Sequence, residues 1–243
     1  MHSIIIPTYK EAANIEKTIS GLRIALDSSG FKNFEILIIY DASNDGTREI
    51  LDRISAEDSR VVGVMNDSRT GFGMSIRKGL TIFRGDTVCI TMADQSDDPT
   101  DLVSYYREIE NGFDCVFGSR FTKGSRLEGY PFGKHIVNRA VNLFIQILFL
   151  SDLNDTTGAF KCYSRDVIDG IQPLVSKDFN ITVEMPLRAI VRGFKYKIIP
   201  ICWKSQADRT SNLKLRKMAA RYLYSILVVW LELVLIQNKH GKS

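Results

Sequence analysis

Cross-linking chemistry is scarce in this chain. Its four cysteines, Cys89, Cys115, Cys162 and Cys202, stand far apart in apolar or strand-like runs, without the close pairs that mark a zinc site or a disulfide framework. They read as small core residues in a reducing compartment. No basic segment followed by a long apolar one precedes the first strand-like run, Ser3-Ile4-Ile5-Ile6, so no secretory leader is expected and the chain is placed in the cytoplasm. There is no internal repeat and no low-complexity linker, and a hydrophobic content of 44% is ordinary for a packed core, which excludes a disordered chain. Charge of one sign is not in large excess either. The net charge is +4, with basic residues gathered between Lys204 and Arg221. Such a face suits phosphates or an anionic membrane, or is simply solvated, and no nucleic-acid partner is expected.

What the chain does have is alternation. Ser3–Ile6, Phe34–Ile39, Val61–Met65 and Thr87–Thr91 have strand character, and segments 11–29, 45–57 and 71–83 carry helical spacing. That order predicts an α/β fold with a mostly parallel sheet covered on both faces. Each strand runs into polar residues, and in such sheets the carboxyl ends of the strands form the ligand crevice. Thr91 is followed by Met92-Ala93-Asp94-Gln95-Ser96-Asp97-Asp98. Carboxylates there suit a hard divalent cation, since Mg²⁺ uses one or two carboxylates together with substrate phosphates. Asp98-Pro99 also reads as a helix start, so Asp97 and Asp98 either serve the ligand or cap that helix. Asp41 suits the imino hydrogen of a uracil or guanine, or makes an Asx turn. Gly71 and Gly73 either meet phosphate at a helix start or only make the turn.

These motifs, Pro7-Thr8-Tyr9-Lys10-Glu11, Asp41 to Thr47, Gly71-Phe72-Gly73, Ala93-Asp94 and Gly118-Ser119-Arg120, occur in an order and spacing that resemble the family 2 glycosyltransferases. In the second half, Lys134 to Asn142, Asp155 to Tyr163, Glu184 and the stretch from Trp203 through Arg209 to Lys214 resemble the polyprenyl-phosphate branch typified by dolichyl-phosphate mannose synthases. The resemblance implies a Rossmann-like, nucleotide-binding GT-A fold. It also implies inverting transfer of a sugar from a GDP- or UDP-sugar to a polyprenyl or dolichyl phosphate, with Mg²⁺ or Mn²⁺ on the donor diphosphate.

By the same resemblance Pro7, Tyr9, Glu11, Asp41, Gly71, Gly73, Ala93 and Asp94 line the donor side. Asp94, Ser96 and Asp97 face the metal. Arg120, Lys134 and Arg209 meet the phosphates of donor and acceptor, and Glu184 stands where many members carry an acceptor-side carboxylate. Spacing also lets Glu184 pair with Arg188 four residues on. The chain departs from the family in two places. Met92 replaces the first carboxylate of the metal motif and Ser96 its glutamine, and methionine is a poor ligand for a hard cation. Tyr40 replaces one of a usual Asp pair, leaving Asp41 alone. Lys134 keeps the charge of the usual Arg but not its fork.

Two apolar helices complete the expectation. One covers about 134–150, and another begins near Leu213 with Lys214, Arg216, Lys217 and Arg221 and turns apolar from Tyr222 to Ile236. That run of about 15 residues contains Glu232 and falls short of the roughly 20 that cross a bilayer. It reads as a helix lying on the cytosolic face of a membrane, with Tyr222, Tyr224 and Trp230 at headgroup level; a buried core helix or a dimer contact is the alternative. The expected division is a catalytic domain, 1–210, and a membrane-surface helix and tail, 211–243. The expected partners are a nucleotide sugar, a polyprenyl phosphate, the membrane surface, and a membrane subunit or a second copy. Two further functions stay open: transfer to another glycan or lipid, and a non-catalytic nucleotide-sugar-binding subunit.

Overall fold

The computed structural model of the protein describes residues 1–66, 70–205 and 215–240. In chain order the elements are β1 (His2–Thr8), α1 (Ile15–Ser28), β2 (Phe34–Tyr40), α2 (Thr47–Glu57), β3 (Val61–Met65), α3 (Phe72–Ile82), β4 (Thr87–Ile90), α4 (Pro99–Glu110) and β5 (Cys115–Ser119). There follow β6 (Arg126–Glu128), α5 (Phe132–Phe149), β7 (Lys161–Ser164), α6 (Arg165–Gly170), α7 (Ile181–Val191), β8 (Tyr196–Pro200), β9 (Cys202–Lys204) and α8 (Leu215–His240).

Seven strands form one sheet in the order β3-β2-β1-β4-β7-β5-β8. β1 and β2 are apolar along nearly their whole length because both faces are covered, the pattern of a doubly wrapped parallel sheet. One apolar layer, including Ile4, Ile36, Leu102 and Tyr105, packs α1, α2 and α4 on one face. A second, including Ile5, Leu37, Ile76 and Met185, packs α3, α6 and α7 on the other.

Among the described strands of this sheet, only β7 runs antiparallel to its neighbours, pairing Ile90 of β4 and Phe117 of β5 with Lys161. Within the motif Asp155 to Tyr163 the strand begins only at Lys161. Its reversed direction matters for the site. The turn Asp155–Gly158, which precedes β7, lands at the same edge where β4 and β5 end. The small sheet β6-β9 closes over that edge: Lys204 N–H donates to Ser96 O and Asp98 N–H to Cys202 O.

α8 is longer than its apolar run implied. Its 26 residues extend about 39 Å at 1.5 Å per residue, and Met218–Asn238 is long and apolar enough to cross a membrane by length and composition. One face is nonetheless committed to protein. Ile226 and Val229 are buried with Val183 and Leu187 of α7 and Ile145 and Phe149 of α5. Glu232 is held by Arg188 at 2.9 Å and Arg192 at 2.5 Å. The opposite face leaves Leu223, Leu227, Leu231 and Leu235 exposed, and α5 adds exposed Ile136, Val137, Phe144 and Ile147.

Candidate active site

The polar residues at the ends of β1, β2, β4 and β5 all lie at one edge of the sheet, as the in-register pairs Thr8–Tyr40, Ile5–Ile90 and Phe117–Lys161 require. The β4 end is folded into a tight loop. Asp94 Oδ1 accepts the Ser96 N–H at 3.1 Å, Ala93 O accepts the Thr18 hydroxyl at 2.8 Å, and Gln95 takes a positive φ of 59°. Asp98 is the helix cap that the sequence allowed: its Oδ1 accepts the Thr100 N–H at 2.9 Å, with Pro99 in the first helical position.

Asp97 does something different. Its Oδ2 accepts the Met92 N–H at 3.2 Å and the Thr91 hydroxyl at 3.1 Å, so its carboxylate folds back toward the backbone of the residue that lacks one. Burial, and then the neighbouring charge of Asp94, push the Asp97 carboxyl up to about 7. The two carboxylates, with Ser96 between them in sequence, are a hard oxygen set that would suit a divalent cation. No group of three or more His, Cys, Asp or Glu is gathered among the described residues, so donor oxygens would have to complete such a shell. Met92 adds none.

At the β5 end, Arg120 is gripped by Asp155. Nε–Oδ2 and Nη2–Oδ1 are both 2.7 Å, and the Arg120 N–H also donates to Oδ2 at 3.0 Å. Asp155 is fully buried and Arg120 nearly so, and the Arg120 charge holds the Asp155 carboxyl below the usual carboxylate range against the opposing effect of burial. The guanidinium lies within 6 Å of the ring centres of Phe121, Tyr130 and Trp203, a cation–π box.

The turn that supplies Asp155 is itself anchored. Thr156 donates its N–H and hydroxyl to Asn142 at 2.7 and 2.6 Å, and Thr157 Oγ1 accepts from Asn138 at 2.7 Å. Lys161 Nζ donates to the carbonyls of Thr156, at 2.9 Å, and Gly158. Asn138, Asn142 and Lys161 lie within motifs that carry the family resemblance, but the sequence reading gave none of them a role of its own. A lysine inside an otherwise apolar strand, Lys161-Cys162-Tyr163, was the available signal.

Of the residues expected on the donor side, Pro7 is buried, Tyr9 is exposed and Glu11 is buried with its Oε2 accepting from Asn14 at 3.0 Å. Asp41 Oδ1 accepts from Asn66 at 2.9 Å and Oδ2 accepts the Gly71 N–H at 3.0 Å. The carboxylate thus ties β2 to the start of α3. Gly71 has a φ of 127°, which favours glycine. Gly73 is required by protein backbone: a Cβ there would stand 2.5 Å from the Lys177 carbonyl carbon.

Glu184 does not join this group. It is fully buried in α7, where Oε1 accepts from Val175 N and Arg188 Nε, both at 2.9 Å, and Oε2 accepts from Ser176 N at 2.7 Å. The expected acceptor-side carboxylate is therefore corrected to an internal one, including the i,i+4 pair with Arg188 that spacing allowed. Lys134 is exposed in the first turn of α5. Arg209, with Leu213 and Lys214, lies outside the described residues. A cavity of about 490 Å³ opens on the α1 side of the β4 loop, among Lys17, Gly21, Asp97, Arg126 and Trp203; Asp94, Asp41 and Arg120 do not line it.

A family model described as Glycosyl transferase family 2 matches residues 3–171. Glycosyltransferase AglD of Haloferax volcanii is 29% identical over 214 residues, covering 87% of this chain and 34% of that protein. Polyprenol monophosphomannose synthase of Mycolicibacterium smegmatis is 28% identical, covering 86% of this chain and 80% of that protein. Dolichol-phosphate mannosyltransferase of Pyrococcus furiosus is 27% identical, covering 87% and 59%. The chain thus spans about a third of the first relative and less than two thirds of the third. Glucosyl-3-phosphoglycerate synthase of Mycobacterium tuberculosis, crystallised with Mn²⁺, UDP-glucose and glycerol 3-phosphate, superposes with a TM-score of 0.73 at 16% identity over 94% of this chain and 79% of that one. The likeness establishes the fold as GT-A.

Proposed function

This chain belongs to glycosyl transferase family 2, and from that premise we propose that it moves a sugar, mannose or glucose, from a GDP- or UDP-sugar to a polyprenyl or dolichyl phosphate. Transfer is metal-assisted and inverting, at the cytosolic face of a membrane on which the protein lies peripherally, alone, with a membrane subunit or with a second copy. The observation that carries the reading is the placement of the Asp94–Asp97 pair and the Arg120–Asp155 fork at one sheet edge, with Asn138 and Asn142 joining that edge to α5, whose outer face is apolar. The relatives named for polyprenol- and dolichol-phosphate transfer support the acceptor class.

The chemistry suits these residues. A lipid phosphate is already an anionic nucleophile at neutral pH, so no strong general base is required. Holding two polyanions together calls for positive charge set in place before reaction. Arg120 is pre-set by Asp155 and by its aromatic box, Lys134 offers a charge from α5, and Asp41 and the Gly71 start of α3 face the nucleotide. Asp94, Asp97 and Ser96 would hold the divalent cation, which when bound neutralises charge on the leaving diphosphate. Because these ligands are few, metal and donor are expected to bind together.

The test follows label from a panel of GDP- and UDP-sugars into the organic phase with purified protein, polyprenyl phosphate, and Mg²⁺, Mn²⁺ or chelator. Chelator-sensitive label from one donor supports the reading. Donor binding with no transfer from any sugar overturns it in favour of another acceptor or of a non-catalytic nucleotide-sugar-binding subunit, the reading that Met92 favours.

A further inference from the structure

We propose that Glu184 is a positioning residue for the donor nucleotide, acting through the segment Val175–Asn180. The proposal rests on the reading of the Asp41 and Gly71 side as the nucleotide site. Glu184 has no opening to a substrate, since its oxygens are taken by Val175 N, Ser176 N and Arg188 Nε within a fully buried setting. What it does hold is the beginning of a segment that presses directly on the start of α3.

Just beyond the two amides that Glu184 accepts, the Lys177–Asp178 backbone passes so near Gly73 that only a glycine fits: a Cβ would lie 2.5 Å from Lys177 C and 2.7 Å from Asp178 N. The next residue, Phe179, stacks on Phe72 with ring centres 4.1 Å apart and planes 9° from parallel. Phe72 and Gly73 form the first turn of α3, and Gly71 before them donates its N–H to Asp41. A helix start presents backbone N–H groups to an anion only if that turn is held in place. The N-cap residue is a glycine with no side-chain cap of its own, so the turn is held by Asp41 from the β2 side and by the segment from the other.

The far side of the segment is clamped as well. Asn180 Nδ2 donates to Ser225 Oγ of α8 at 2.7 Å and to Ser176 Oγ at 2.8 Å, and Ser176 and Ser225 share a hydrogen bond at 2.9 Å. Arg221 of α8 pairs with Asp178. The segment is thus fixed from behind by α7 and α8 and pushes forward on α3. Glu184 supplies the charged anchor, since hydrogen bonds to a carboxylate are about twice as strong as neutral ones.

The experiment measures UDP and GDP binding by calorimetry, donor and acceptor KM, and thermal unfolding for the full chain, for Glu184→Gln and for Ser225→Ala. Glu184→Gln turns an amide NH₂ toward donors, so nucleotide Kd and donor KM are expected to rise about tenfold, with acceptor KM nearly unchanged. Ser225→Ala removes one hydroxyl from the same clamp, is expected to raise donor KM by about threefold, and carries the test if the buried charge variant does not fold. A general loss of stability would not separate donor from acceptor in this way. A rise in acceptor KM with nucleotide affinity intact would overturn the proposal and put the carboxylate on the acceptor side; unchanged nucleotide affinity in both folded variants would overturn it too. If the native chain binds neither nucleotide, the donor-site reading itself fails and takes the proposal with it.

Discussion

Arg120 and Asp155 meet through two parallel contacts of 2.7 Å across 35 residues of sequence. Both are shielded from solvent, and breaking a buried pair from one side leaves an uncompensated charge. Asp155→Asn is therefore expected to lower unfolding free energy by about 3 kcal/mol or more, measured by urea titration. Arg120→Lys keeps a charge but loses the fork, and should fold less stably while transferring sugar far more slowly. A stability change under about 1 kcal/mol for Asp155→Asn, the level of an exposed pair, would refute this account.

Asp97 and Asp98 are adjacent in sequence and separate in role. Asp98→Ala removes a helix cap and should cost about 1 kcal/mol without changing Mn²⁺ binding in the presence of nucleotide. Asp97→Asn should weaken that binding by about tenfold or more, and Met92→Asp should strengthen it. Calorimetric titration of Mn²⁺ into the three variants separates the cases. Equal metal affinity in Asp97→Asn and the native chain would remove Asp97 from the metal site.

Burial pushes the Lys161 ammonium down to about 7 from 10.5, against the pull of Asp155. The folded chain then binds fewer protons at this group than the unfolded chain between those two values. Its contribution to stability is full above the unfolded value and is lost as pH falls through about 7. The difference in melting temperature between the native chain and Lys161→Met should shift in favour of the native chain as pH rises from about 7 toward 10. A difference independent of pH would mean that Lys161 stays charged throughout.

Exposed leucines of α8 and exposed aromatic and aliphatic residues of α5 leave apolar surface on both helices. Leu227→Glu with Leu231→Glu, and separately Phe144→Glu, should each reduce flotation with phosphatidylcholine–phosphatidylglycerol vesicles, by about tenfold for the pair. Melting temperature should change little, because these side chains point away from Ile226 and Val229, which pack on the protein. Unchanged flotation, with the native chain eluting as a dimer that the substitutions dissociate, would make this surface a contact between copies.

The first half of the fold was legible in the sequence. β1 to β4 and α1 to α3 fall within a few residues of their expected ends, because strands buried on both faces and helices with one apolar stripe write their period into local sequence. Asp98-Pro99 was equally readable, since a cap acts over two residues. β7 was readable as a strand but not in direction. Nothing in Lys161-Cys162-Tyr163 states that it inserts antiparallel between β4 and β5.

The site divides along the same line. Asp94, Asp97, Arg120 and Asp41 stood out as polar groups at strand ends, and α8 as an apolar helix. The assignment of Glu184 to an acceptor, and the weight placed on Glu232 as a mark against a longer apolar helix, both changed because each carboxylate has partners from distant segments: Val175, Ser176 and Arg188 for one, Arg188 and Arg192 for the other.

By itself, then, the sequence determined the α/β alternation, the polar strand ends and the family of the chain, all of which depend on residue type and short-range spacing. Tertiary structure alone decided which charges are used up inside the protein and which face the crevice. Arg120 and Asp155, Gly73 and Lys177, and Asn180 and Ser225 lie tens of residues apart or more, and only the packing of helices and strands brings them within the few ångströms over which hydrogen bonds and steric contact act.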